Sequence, residues 1–211
     1  MDPPQEHGKA GRRDTKMSAN YHLRRACGIW LANFVPITMM TLVYLVLSIV
    51  TLGFMSAVLE VGFMHALLRL IREERRPQVG DLFSHMHVFF PLLVFTIAVA
   101  IIAVICVVLL RVAGIILLIT IAFFCIYMLT FMADQKVGVI DAIEDSVDLA
   151  VHGDIAQHIG VLVIYLLVKV LGSTIILLPV TEPIAIIFLV LVYLDRTKRR
   201  NASSQGFTLD L

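Results

Sequence analysis

From position 28 to position 194 the chain is almost continuously apolar, interrupted at regular intervals by short charged stretches. An α-helix needs about 20 apolar residues to cross the roughly 30 Å hydrocarbon core of a bilayer. The sequence holds enough such stretches for several crossings, so the solvent of this chain is lipid. Composition agrees: 59% of the 211 residues are hydrophobic and 16% charged, where soluble domains carry about 45–50% and about 25%.

The pattern predicts an all-α, polytopic transmembrane bundle with six crossings, over residues 29–52, 53–71, 91–110, 115–133, 158–178 and 184–194. A turn near 51–53 separates the first two, since one continuous helix there would be about twice the bilayer's length. The first run is too long for the core of a cleaved signal, about 7–15 residues, and is expected to be retained. Pro179 and Pro183 are expected to break the helix before the last crossing and leave it short. Residues 1–20 read as a disordered cytoplasmic tail, 21–196 as the helical membrane domain and 197–211 as a basic, disordered cytoplasmic tail.

The basic residues orient this bundle. With the N-terminus in the cytoplasm, fifteen Lys/Arg lie inside and one, Arg111, lies outside. The expectation is a multi-pass protein of a bacterial-type inner membrane with both termini cytoplasmic. Two cytoplasmic segments read as amphipathic and interfacial. In 81–90, Leu82, Phe83, Met86, Phe89 and Phe90 fall at α-helical spacing; in 139–152, Ile140, Ile143, Val147 and Val151 oppose Asp141, Glu144, Asp145, Asp148 and His152. The predicted architecture is three hairpins joined by such segments.

Several residues resemble a known family. Gly80-Asp81-Leu82-Phe83 resembles the entry to the third helix in a broad group of bacterial inner-membrane proteins related to the membrane domain of some glycerophosphodiester phosphodiesterases. Asp134, Asp141-Ala142, Ser146 and Gly153 are similar to that group's segment after the fourth helix, and Pro183, Tyr193 and Asp195 to its closing motif. Asp141 stands where Glu is usual, and Ala113 where Pro often precedes the glycine of the third turn. The resemblance covers roughly 28–196. It implies a six-helix fold and brings neither an activity nor catalytic residues.

Ionisable groups inside a membrane are functional hypotheses by default. Glu60 and Lys169 each fall about 11–14 Å below the outer edge of their predicted crossings, so an intramembrane Glu60–Lys169 ion pair is expected, as a structural staple ahead of an ion or proton path. Gly62-x-x-x-Ala66 and Gly172-Ser173 read as close-packing sites between helices. His85 and His87 lie two apart, on different faces of a helix. A metal site from Asp148, His152 and Asp154 is disfavoured for want of a tight ligand set. Cys27, Cys106 and Cys125 form no close-spaced motif, and the turn near 112–113 sets Cys106 opposite Ile119 rather than Cys125, so free thiols are expected.

No nucleophile elbow, phosphate loop or paired catalytic carboxylates occur. The expectation is a non-catalytic scaffold or accessory subunit with no catalytic, cofactor or metal residues. A small transporter or channel and a lipid-modifying enzyme stand as alternatives. Membrane lipids and a membrane-protein partner or self-association are the expected partners, with no nucleic acid. The expected interaction face is Asp141, Glu144, Asp145 and Asp148, with basic cytoplasmic patches at Arg72, Arg75, Arg76, Arg196, Lys198, Arg199 and Arg200.

Overall fold

The computed structural model describes residues 7–110, 112–151, 155–171 and 177–207. Among them the chain is all-helical, with α1 (His7–Ala32), α2 (Phe34–Val50), α3 (Ser56–Glu73), α4 (Phe89–Leu110), α5 (Val112–Cys125), α6 (Met128–Gln135), α7 (Val139–Val151), α8 (Ile155–Leu171) and α9 (Leu178–Phe207). Two 3₁₀ turns, Val79–Phe83 and Met86–Val88, join α3 to α4.

Three helical stretches are long and apolar enough to cross a membrane: Val79–Cys106, Val112–Gln135 and Leu178–Asn201. The number is five if the bent pairs α1–α2 and α7–α8 each count as one span. Six straight crossings were expected, and local chemistry explains the differences. The first run bends by 95° between Ala32 and Phe34. Pro36 has no N–H for the carbonyl of Ala32, and its ring crowds that carbonyl. Asn33 accordingly leaves helical geometry at φ −120°, ψ 36°. The next turn uses Leu52 at φ 51° and Gly53 at φ 84°, so α3 starts three residues later than predicted, at Ser56.

The last helix differs most. Pro179 and Pro183 do not break it: α9 runs from Leu178 through Pro183 to Phe207. Pro179 sits in the first turn, where the N–H has no intrahelical partner to lose. The expected tail at 197–211 is therefore helical to Phe207, and α1 likewise begins at His7, within the stretch expected to be disordered.

Position in the bundle follows burial. From Ala185 to Tyr193 every residue of α9 is buried, and α3 buries Val58, Leu59, Val61–Leu68 nearly throughout. These two helices form the centre, with α1, α2 and α8 packed on α9 and α6 on α3. The α4–α5 hairpin stands outside: 11% and 17% of the apolar windows of Val79–Cys106 and Val112–Gln135 are buried, against 61% in Leu178–Asn201.

The fourth predicted crossing breaks at Ile126-Tyr127, between α5 and α6. Two polar side chains satisfy the backbone there through three hydrogen bonds, as a buried break requires. Ser146 Oγ donates to the Phe124 carbonyl at 2.5 Å and accepts the Tyr127 N–H at 3.3 Å. His158 Nε2–H donates to the Phe123 carbonyl at 2.7 Å. Ser146→Ala should leave two buried backbone groups unpaired and cost about 1–3 kcal/mol; a thermal midpoint equal to wild type in detergent would show that this break needs no side-chain partner.

The two segments expected to be amphipathic do not bury the faces predicted for them. Over 79–88 the buried residues are Leu82, His85 and Val88, a spacing of three that matches 3₁₀ geometry. Phe83, Met86 and Phe90, assigned to the apolar stripe, are exposed. In α7 the face against the protein is Ala142, Ser146, Leu149 and Ala150. The predicted stripe divides: Ile143 packs against the core, while Ile140 and Val151 are exposed.

Candidate functional site

Polar side chains gather at both ends of the bundle. At one end α3, α6, α7 and α9 meet. Arg72 grips Asp134 through both guanidinium nitrogens, with Nη2 to Oδ2 at 2.9 Å. The Tyr193 hydroxyl donates to the same Oδ2 at 2.9 Å. Arg200 reaches Asp148 at 3.2 Å and Asp145 at 3.8 Å, with its guanidinium 5.7 Å from the Phe131 ring centre. Arg196 donates to His158 Nδ1 at 3.1 Å and lies 5.7 Å from the Tyr127 ring centre. That contact, with the Nε2–H bond to Phe123, fits a neutral His158 carrying its proton on Nε2. Arg75 faces Asp81 at 3.5 Å and Arg199 faces Asp195 at 3.0 Å. His22 of α1 lies 3.7 Å from Asp195, so both terminal basic stretches share this end.

The basic patches are thus largely neutralised by acids of the same chain. Arg76 and Lys198 make no ion pair among the described residues and are exposed. The acidic face of α7 borders a groove of about 460 Å³, lined by Asp141, Glu144, Asp145, Val147, Asp148 and Val151. Arg200 already supplies counter-charge to Asp145 and Asp148. Arg111, His152, Gly153, Asp154 and Gly172-Ser173 lie outside the described residues. Among the described residues no group of three or more His, Cys, Asp or Glu is arranged to hold a metal. Cys27, Cys106 and Cys125 are free.

The second polar cluster lies toward the other end of α3, about 18 Å from Arg72 at 1.5 Å per residue. Lys169 of α8 pairs with Glu182 of α9, not with Glu60 as expected. Residue 182 is thirteen positions from 169; α9 packs on α8, and Glu182 lies inside α9 rather than in a proline turn. Glu182 is the more enclosed partner, with its side chain 7% exposed against 30% for Lys169. Glu60 lies within electrostatic reach of both but makes no hydrogen bond or ion pair among the described residues. It sits about 6 Å from the start of α3, shallower than predicted, because the helix begins at Ser56. Tyr44 of α2 and Tyr165 of α8 border the same charges, and Lys169 Nζ lies 5.6 Å from the Tyr165 ring centre.

A third cluster was not foreseen. His65 of α3 meets His85 edge to face at 4.8 Å between ring centres, and His87 follows at 5.8 Å. His65 Nδ1–H donates to the Ala133 carbonyl at 3.0 Å. His85 is 1% exposed, and its Nε2 has no partner. The close approach that allows this is at Gly62, one turn before His65. A Cβ there would lie 2.2 Å from the Leu82 carbonyl oxygen. The glycine thus admits the 3₁₀ segment rather than a neighbouring helix.

Comparison with protein-family models, curated proteins and solved structures found no match.

Proposed function

We propose that this is a non-catalytic, multi-pass protein of a bacterial-type inner membrane, acting as a scaffold or accessory subunit of a membrane assembly. The proposed topology places both termini in the cytoplasm. The proposed relationship is to the inner-membrane group whose motifs Gly80–Phe83, Asp134, Ser146 and Tyr193 resemble.

The observation that carries the reading is the α4–α5 hairpin. It holds the most apolar helices of the chain, yet they bury little of themselves in their own bundle. Such a hairpin offers its surface to lipid and to another protein's helices. The gathering of the basic stretches at one end supports the topology, since the positive-inside rule assigns that whole end to the cytoplasm. Much of the charge there is engaged internally, which leaves the membrane face as the docking surface.

Photo-crosslinkers at Ile101 and Ile116, both exposed, should give a discrete protein adduct in native membranes. Adducts to lipid alone would overturn the scaffold reading. For topology, cysteines placed at positions 7 and 205 should resist a membrane-impermeant thiol reagent applied to intact cells, and labelling of either would reverse it.

A small transporter or channel is the second reading, favoured by the charged cluster of Glu60, Lys169 and Glu182 within the bundle.

A further inference from the structure

We infer that Glu60 is a proton-binding carboxyl inside the helix bundle, in a site completed by Tyr44, Tyr165, Lys169 and Glu182. Three observations carry this. The first is charge. Two carboxylates share one ammonium, and the ammonium is committed to Glu182. An ionised Glu60 would leave one negative charge without a counter-charge among apolar helices, and such groups neutralise rather than stay charged.

The second is bonding. Glu60 is half-buried and makes no hydrogen bond among the described residues. Tyr44 is 7% exposed, and its hydroxyl also makes none. A protonated carboxyl has both a donor and acceptor capacity, and a phenol hydroxyl has the same. The Tyr44 hydroxyl can accept from a protonated Glu60 and donate to an ionised one, so it can partner the carboxyl in either state, and only the ionised state leaves a charge unbalanced.

The third is access. Glu60 lies near the start of α3, and Lys169 beside it keeps 30% of its side chain exposed, so the site is not sealed by the protein at that end. A bound alkali ion fits poorly. Its oxygen ligands would be Glu60, two phenols and a Glu182 already paired, beside the positive charge of Lys169. The proton needs only one oxygen.

The site stands whether or not the protein transports anything, and it is tested on the whole protein in liposomes. Dicyclohexylcarbodiimide adds to a protonated carboxyl in an apolar setting, and the acylisourea rearranges to a stable acylurea that peptide mass spectrometry locates. The expected result is modification of Glu60, falling about tenfold per pH unit once the carboxyl ionises. The ion-paired Glu182 should stay unmodified. In infrared pH-difference spectra a protonated-carboxyl C=O stretch should appear in wild type and vanish in Glu60→Gln. Absence of that band would overturn the proposal even if the carbodiimide failed to enter. Protection of Glu60 by Na⁺ at fixed pH would make the ligand an alkali ion and overturn the proton assignment.

Discussion

Gly62→Ala is expected to be among the most damaging single changes in the chain, although it adds one methyl group. The new Cβ would lie 2.2, 2.6 and 2.8 Å from the carbonyl oxygen, carbonyl carbon and Cα of Leu82. These are backbone atoms, so no side chain can rotate away. The 3₁₀ segment would have to move off α3 by an ångström or more. Overpacking alone costs about 1–3 kcal/mol. The displacement would also uncover Leu82, which is fully buried, at about 1.5–3 kcal/mol for a side chain of that size. The contact of His65 with His85 would open as well. A loss of at least about 2.5 kcal/mol is expected from these two terms, read as a drop in the thermal midpoint in detergent. Gly160→Ala is the control. It lies in α8 with nothing within 4 Å of the added carbon, and replacing a mid-helix glycine there should stabilise by about 0.5–1 kcal/mol. Equal midpoints for the two variants would mean that the segment is not seated on α3 as described.

The same few residues show what could be read from the chain before its structure. Long apolar runs declare membrane helices because the bilayer sets their length, and α4 follows from that alone. Bends are harder. The first crossing was expected to run straight through Pro36, where the chain bends by 95° between two helices. Pro183 was expected to end a helix and instead lies inside α9. The faces of the interfacial segments were misassigned for a geometric reason. The expected period over 81–90 was 3.6, and the chain from Val79 to Val88 winds with 3.0, so His85 turned inward where Phe83 and Met86 had been expected. Spacing in threes at Leu82, His85 and Val88 was the available signal. Ser146, Asp134 and Tyr193 appeared first as motif positions, and no sequence rule says what they bond. Their partners, at positions 124, 127 and 72, come together only when the helices cross.

Partner choice at Lys169 is where that limit matters most, and it yields the second large effect. Lys169→Met should leave Glu182 nearly enclosed and without its partner, since its side chain is 7% exposed. Removing one member of a buried ion pair costs about 3–5 kcal/mol. Glu182→Gln should cost less, because Lys169 is partly exposed and its long side chain can carry the ammonium toward water. The double variant Lys169→Met/Glu182→Gln removes both charges and should recover most of the loss, a coupling of up to about 3 kcal/mol. Glu60 supplies the contrast. If its carboxyl is protonated, Glu60→Gln replaces one neutral polar group by another of the same shape and should change stability by less than about 0.5 kcal/mol, the range of substitutions that remove no named interaction. Paired with Lys169→Met it should then be additive. Strong coupling of Lys169 to Glu60, with none to Glu182, would restore the ion pair first expected from the sequence. It would also remove the basis for a proton on Glu60, because the ammonium would then belong to that carboxylate.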